Sequence, residues 1–312
     1  MKLYFSSPVA LITAYGIFSK KLTKAIFVQP HNRGNEGNKA HRDLTKQLQK
    51  ISQVVAKALG IEFSELRFSE YLQIQPEIIE SSLMINSNCA KRIIINGSDS
   101  YCIFGFKNYM NFSRTKLKLM RLFRHNFKIY SSATLYYYNQ VANNPKTSNK
   151  VINTDKVRYL LNSMAPKVFA NIGKNIKSSI NKDCILVLPP ICNYSGREFS
   201  LKFIQRVESI AKERNLKVFI KPHRNDNMKY SDFFTDKSLI IGERLDLRYI
   251  PVEFFFTLSH VKSIVAVPSS SLALAPDILI QVLVPKNRQL FRRSFLDQLP
   301  FLHSIGLKFE RI

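Results

Sequence analysis

Apolar and polar positions change period repeatedly along the chain. Leu3-Tyr4-Phe5 is a short apolar run and Ser6-Ser7-Pro8 a turn with proline at a helix start. Val9 to Leu22 then reads as a helix. Ala25 to Val28 supplies a second strand. From Asp43 to Leu59, Leu44, Leu48, Ile51, Val54, Val55 and Leu59 recur at helical spacing on one face, with Gly60 as the stop. The opening is therefore βαβα. Arg92 to Ile95 is a third strand, ending on the polar turn Asn96-Gly97-Ser98-Asp99-Ser100-Tyr101.

Between residues 139 and 156 the pattern breaks into polar residues, including Asn143-Asn144-Pro145, so a linker is expected in or just after this stretch. Alternation restarts with the strand Cys184 to Leu188, a helix from Glu198 to Asn215 and the strand Val218 to Ile220. It continues through Ser238 to Ile241, a helix after Pro251, the strand Ile264 to Val267 and the apolar run Ile278 to Val284. Strands alternating with helices in both halves predict an α/β chain of two Rossmann-like domains, 1–150 and 151–312. No internal repeat of solenoid period is visible.

The 312 residues, 45% of them apolar, are enough for two domains with proper cores and exclude global disorder. The charge changes the picture more: 47 Lys and Arg against 22 Asp and Glu give +25, which favours partners carrying phosphate. Cys89, Cys102, Cys184 and Cys192 lack metal or disulfide spacing, so a reducing cytoplasm and no metal are expected. The apolar stretch from Val9 to Phe18 is too short to span a bilayer, and no small-residue cleavage site comes after it.

Two strand-to-loop passages concentrate the candidate chemistry. Val218-Phe219-Ile220 runs into Lys221-Pro222-His223-Arg224, and Ile264 to Val267 runs into Pro268-Ser269-Ser270-Ser271. Open parallel sheets bind ligands at such carboxyl edges. A protonated imidazole at His223 could neutralise a phosphate leaving group, where a surface loop histidine would do nothing. Hydroxyls and N–H groups at Ser269, Ser270 and Ser271 could hold the same anion at a helix start, whereas a plain N-cap would serve packing alone. Pro251-Val252-Glu253 places a carboxylate in a first helical turn, suited to a ribose but also favoured there by the helix dipole.

Arg114, Lys118, Arg121, His125 and Lys128 form a basic stripe at helical spacing among apolar residues, and Lys286, Arg288, Arg292 and Arg293 repeat the theme. Such stripes suit either anionic headgroups or plain solvation. Tyr136-Tyr137-Tyr138 reads as strand packing, and Gly34-Asn35-Glu36-Gly37 lacks the spacing of a nucleotide loop.

These residues resemble the bacterial sialyltransferase and polysialyltransferase group of GT-B glycosyltransferases, which use a CMP-activated sugar. Lys221-Pro222-His223-Arg224 resembles the group's His-Pro motif with Arg224 in the proline's place, and Ser269-Ser270-Ser271 is similar to its serine motif. Pro251-Val252-Glu253 looks like the P-x-E stretch, whose glutamate meets the nucleoside, and the Ser7 region is similar to the group's start. The resemblance implies two domains facing across a cleft, the first binding acceptor and the second a nucleotide sugar. It further implies inverting transfer from CMP-sialic acid to a surface glycan such as lipooligosaccharide or capsule, without a metal or other cofactor. The group's acidic triplet falls on Ile95-Asn96-Gly97, where an amide stands in for the basic carboxylate. Asp99, two residues past the glycine, is then the candidate base.

Under this resemblance the catalytic set is Asp99, His223 and Asn96. Lys221, Arg224, Glu253, Ser269, Ser270, Ser271, Gly97 and Ser7 bind substrate. The place of action is the cytoplasm, with peripheral attachment to the inner membrane through the basic segments. Two other readings stand beside it. Asn96 fits a homologue that binds nucleotide or glycan without transfer. The charge alone fits a nucleic-acid-binding protein, against which stand the missing motif and the scatter of basic residues through both halves.

Overall fold

The structure, a computed structural model, describes residues 1–29, 39–71, 73–74, 76–80, 83, 92–94, 134–137, 148–172, 180–191, 195–223, 226, 228–244, 247–286, 299–304 and 306–312. The chain divides into two compact units, Met1–Leu160 and Leu161–Ile312. Each is an α/β unit built on a parallel sheet.

In the first unit, β1 (Lys2–Phe5), β2 (Lys24–Val28), β3 (Glu62–Leu66), β4 (Ile78–Glu80), β5 (Arg92–Ile94), β6 (Thr134–Tyr137) and β7 (Ser148–Val151) form one sheet. Its order is β3-β2-β1-β4-β5-β6-β7. Every pairing is parallel. Helix α1 (Pro8–Phe18) comes after β1 with proline in its first turn, and α2 (Lys39–Leu59) packs beside it. A single turn, α3 (Phe68–Tyr71), succeeds β3. Residues 8–14 and Gly16 are all buried, so α1 is a core helix. It ends earlier than its apolar run suggests, passing at Ser19 into a single 3-10 turn. Gly60, where the pattern stops α2, has φ +69, a conformation that favours glycine.

Three strands of this sheet differ from the sequence expectation. β3 and β7 are its two edges, and β7 occupies the polar stretch read as linker. An edge strand is paired along one side alone, so a polar sequence such as Ser-Asn-Lys-Val is tolerated there. β4 has three residues, too few to show a period, yet it is buried throughout and lies beside β1.

The second unit repeats the same winding. Its strands are β8 (Cys184–Leu188), β9 (Lys217–Ile220), β10 (Ile240–Glu243), β11 (Val261–Ala266), β12 (Leu279–Val284) and β13 (Phe309–Arg311), in the order β10-β9-β8-β11-β12-β13. All neighbours are again parallel. Counted from its own first strand, each sheet runs third, second, first, fourth, fifth, sixth, with a seventh strand added beyond these in the first unit, and the winding reverses between first and fourth as in doubly wound sheets. The duplication lies in architecture, with no matching sequence repeat.

Helix α4 (Thr154–Asn171) contains the division between the units, and α5 (Arg197–Glu213) covers one face of the second sheet. The fully buried face of α5, Phe199, Phe203, Ile204, Val207 and Ile210, packs on Ile185, Val187, Val218 and Val265. Below this core, Arg214 donates to Ser263 Oγ at 2.6 Å and to Gln281 Oε1 at 2.9 Å, pinning α5 to β11 and β12. Burial pulls the Arg214 guanidinium below its ordinary value, while Glu310 holds that of Arg206 above it. Two expected helices, after Pro251 and after Ser271, are shorter than predicted: they are 3-10 turns, Val252–Thr257 and Ser270–Leu274.

Among the described residues no helix is long and apolar enough to cross a membrane. The whole basic stripe from Arg114 to Lys128 lies outside the described residues, as do Arg288, Arg292 and Arg293 of the second.

Candidate functional site

In the second unit the winding reverses between β8 and β11. Because all strands are parallel, the chain leaving β8, β9 and β11 emerges on one edge of the sheet. Those exits are Pro189-Pro190, Lys221-Pro222-His223 and Val267-Pro268-Ser269. β9 and β11 flank β8, so at a strand spacing of about 4.8 Å their ends lie roughly 10 Å apart. Residues far apart in sequence thus arrive at one reversal point, the place where open α/β sheets take ligands.

The His223 loop is held from several sides. Asp226 N donates to the His223 carbonyl at 2.9 Å, and the Asp226 carboxylate accepts Met228 N at 2.9 Å. The fully buried Tyr230 hydroxyl lies 2.6 Å from Asp226 Oδ2 and against the Pro190 carbonyl, so it joins the exits of β8 and β9. Glu243, at the end of β10, accepts Tyr230 N at 2.6 Å and Ser231 N at 2.9 Å. These groups leave the His223 side chain exposed on a braced loop.

Lys221 is 6% exposed, and its ammonium donates to the Pro222 and Arg248 carbonyls at 2.9 Å each. It also stands 5.7 Å from the centre of the Phe255 ring. Its charge acts first on the protein's own loops.

Ser269 and Ser271 are half-buried. Ser269 occupies the N-cap position in an extended conformation, φ −146 and ψ 133, but makes no side-chain cap bond. The chain then forms a five-residue 3-10 turn instead of the expected helix, because Pro268 and Pro276 bracket a short stretch that bonds at i+3. The dipole of this turn is correspondingly small, and any grip on an anion falls to hydroxyls and local N–H groups. Glu253 is half-buried in the first turn after Pro251. Asn96, Gly97, Asp99 and Arg224 lie outside the described residues, as does the side chain of Ser270.

The first unit has its own reversal point, between β1 and β4, and there the sequence reading missed a residue. Glu80, the last residue of β4, is 2% exposed. Its Oε2 accepts Ser6 N at 2.7 Å, Ser6 Oγ at 3.2 Å and Ser7 N at 3.0 Å. Ser7 is the N-cap of α1 yet makes no cap bond through its own side chain. The glutamate supplies the negative group that the helix start and the loop N–H groups favour. The anion position at this edge is filled by the chain itself, whereas the corresponding edge of the second unit presents serines and a histidine. Three bonds on one oxygen suit Glu80 to holding this loop. The missed signal was an acidic residue closing a short apolar pair, Ile78-Ile79, before Glu80.

Glu80→Ala is therefore expected to lower stability by about 1–3 kcal/mol, since it takes the acceptor away from part-buried donors of Ser6 and Ser7, while Glu80→Gln keeps an acceptor and loses less than half of that. Urea unfolding followed by circular dichroism measures both. An unchanged midpoint in Glu80→Ala would show that water replaces the carboxylate without penalty.

Among the described residues no group of three or more His, Cys, Asp or Glu side chains could hold a metal ion. Cys184 lies inside β8, and burial pushes its thiol up to about 12, too high for a nucleophile near neutral pH.

No family model matches the chain, and no curated protein matches it. Among solved structures, the chain is similar to an alpha/beta-galactoside alpha-2,3-sialyltransferase from the luminous marine bacterium Photobacterium phosphoreum, with a TM-score of 0.47 and 9% identity over 99% of this chain and 97% of that one.

Proposed function

We propose that the chain is a glycosyltransferase of the GT-B kind that moves a sugar, sialic acid in the first instance, from a CMP-activated donor to a surface glycan with inversion. The observation that carries this reading is the shared carboxyl edge: the loop of His223 and the serines after β11 flank β8 at the reversal of winding. In the reaction an acceptor hydroxyl loses its proton to Asp99 as its oxygen bonds the anomeric carbon. The bond from that carbon to the phosphate oxygen breaks, and CMP leaves with the electron pair. His223 meets the charge that develops on the phosphate, with Ser269, Ser270 and Ser271 on the same group. Glu253 accepts the ribose hydroxyls. Arg224 adds positive charge beside His223, while Ser7 and Gly97 belong to the substrate-binding loops of the first unit.

Titration with CMP, cytidine and UMP tests the donor class, and incubation with CMP-sialic acid and glycan acceptors tests transfer. CMP binding with selectivity over UMP is expected, with release of CMP in the presence of acceptor. A chain that binds no CMP contradicts the proposal. Asn96 favours one second reading, in which nucleotide is bound without transfer. Product formed by Asn96→Asp but not by the native chain would mark a site disabled at that residue, whereas binding without product in both proteins would favour the non-catalytic reading. Oligonucleotide affinity that collapses with salt, with none for CMP, would instead support nucleic-acid binding. The work would take place in the cytoplasm at the inner membrane, reached through the basic segments.

A further inference from the structure

We infer that Lys221 is a positioning residue that ties the phosphate-binding loop to the nucleoside-binding stretch, an assignment that rests on the proposed function for its ligand and on geometry for the tie. Its ammonium bonds the Pro222 carbonyl, immediately before His223, and the Arg248 carbonyl, in the segment that leads through Pro251 to Glu253. Beneath it lies the ring of Phe255, on the same 3-10 turn as Glu253. That ring is itself fixed, stacked on Phe219 of β9 at 6.1 Å and 28°. One buried cation is thus bonded to both loops and seated on a ring that belongs to one of them.

Burying an ammonium is unfavourable unless its donors are satisfied, and an unbranched apolar side chain would fill the same volume without that penalty. What lysine adds is direction, because its donors fix two carbonyls relative to each other. The loops of His223 and Glu253 then move as one. Phosphate and ribose recognition are coupled through Lys221, which acts on the chain's own carbonyls and not on the phosphate.

The test is Lys221→Met, which keeps an unbranched side chain one atom shorter and removes its donors. Without ligand, hydrogen exchange in residues 221–229 and 247–257 is expected to accelerate about tenfold while β8 and α5 stay unchanged, a local pattern that general destabilisation would not give. Affinities for CMP and for cytidine are expected to fall by the same factor, about tenfold. A direct phosphate contact would instead weaken CMP and spare cytidine, and that result overturns the inference, as does unchanged exchange in either loop. Should Lys221→Met fold poorly, Lys221→Arg, which keeps charge but not the shape of the donor group, is expected to give the same two-loop pattern at about threefold, and its absence counts against the tie. If the native chain binds neither CMP nor cytidine while the two loops still loosen together, the nucleotide reading fails and the tie between loops stands.

Discussion

Under the proposed transfer, His223→Ala is expected to lower the rate by about a hundredfold to ten-thousandfold, with CMP affinity reduced by a much smaller factor. The asymmetry comes from when the charge appears. A CMP-activated donor in its ground state already carries one phosphate charge, a second develops as the sugar departs, and the role proposed for His223 is to favour that second charge more than the first. Loss of kcat should therefore exceed any rise in KM. The fold should survive, because the His223 side chain is exposed and the Asp226 N bond to its carbonyl is retained in alanine. Ser269→Ala, which removes one hydroxyl of several, should weaken both binding and rate by about tenfold. Steady-state kinetics with CMP release as the readout decide the matter. Transfer by His223→Ala at the native rate would take the imidazole out of the chemistry and leave the edge of the second sheet as a binding surface.

The elements that carry this site were legible because they are buried on both faces. Cys184 to Leu188, Val218 to Ile220 and Ile264 to Val267 are continuous apolar runs, as central parallel strands must be, and each stops at a proline-marked loop. The polar residues beyond each strand were then confined to one edge by topology. The order of the strands was not legible, since short apolar runs do not say which neighbour they pair with. That order is what places β8 between β9 and β11 and brings the two loops together. Of the four edge strands, β10 is legible in the sequence, while β3, β7 and β13 escape for a different reason. Ser148 to Val151 and Phe309 to Arg311 pair along one side and need little apolar surface, so their sequences look like loop.

The helix expected after Ser271 was overread: serines before an apolar run are a sound cap signal, but Pro276 leaves room for one 3-10 turn. Roles set by contact were out of reach as well. Nothing in Lys221-Pro222-His223 announces that the lysine is buried and the histidine exposed, because that depends on an aromatic ring 34 residues further along, at Phe255.

Phe255→Ala is expected to remove about 3–5 kcal/mol from the stability of the second unit, the range for truncating a fully buried phenylalanine. The ring is 0% exposed and meets Phe169 edge-on at 5.7 Å and 69°, besides its stack on Phe219. Each such pair adds about 0.5–1.5 kcal/mol beyond burial, which places the loss toward the upper end of the range. Against a total of about 5–15 kcal/mol for a domain, that leaves little margin. The loss should also be uneven. Removing the ring takes away the seat of the Lys221 ammonium, so the loops of His223 and Glu253 should loosen before β8 or α5 unfold. Phe255→Leu restores most of the volume and should lose about 1–1.5 kcal/mol, yet it removes the π face and should still loosen those loops. Urea unfolding, with hydrogen exchange read by segment, separates the two effects. A Phe255→Leu chain of nearly native stability whose two loops exchange at the native rate would show that the ring contributes packing and nothing to the cation above it.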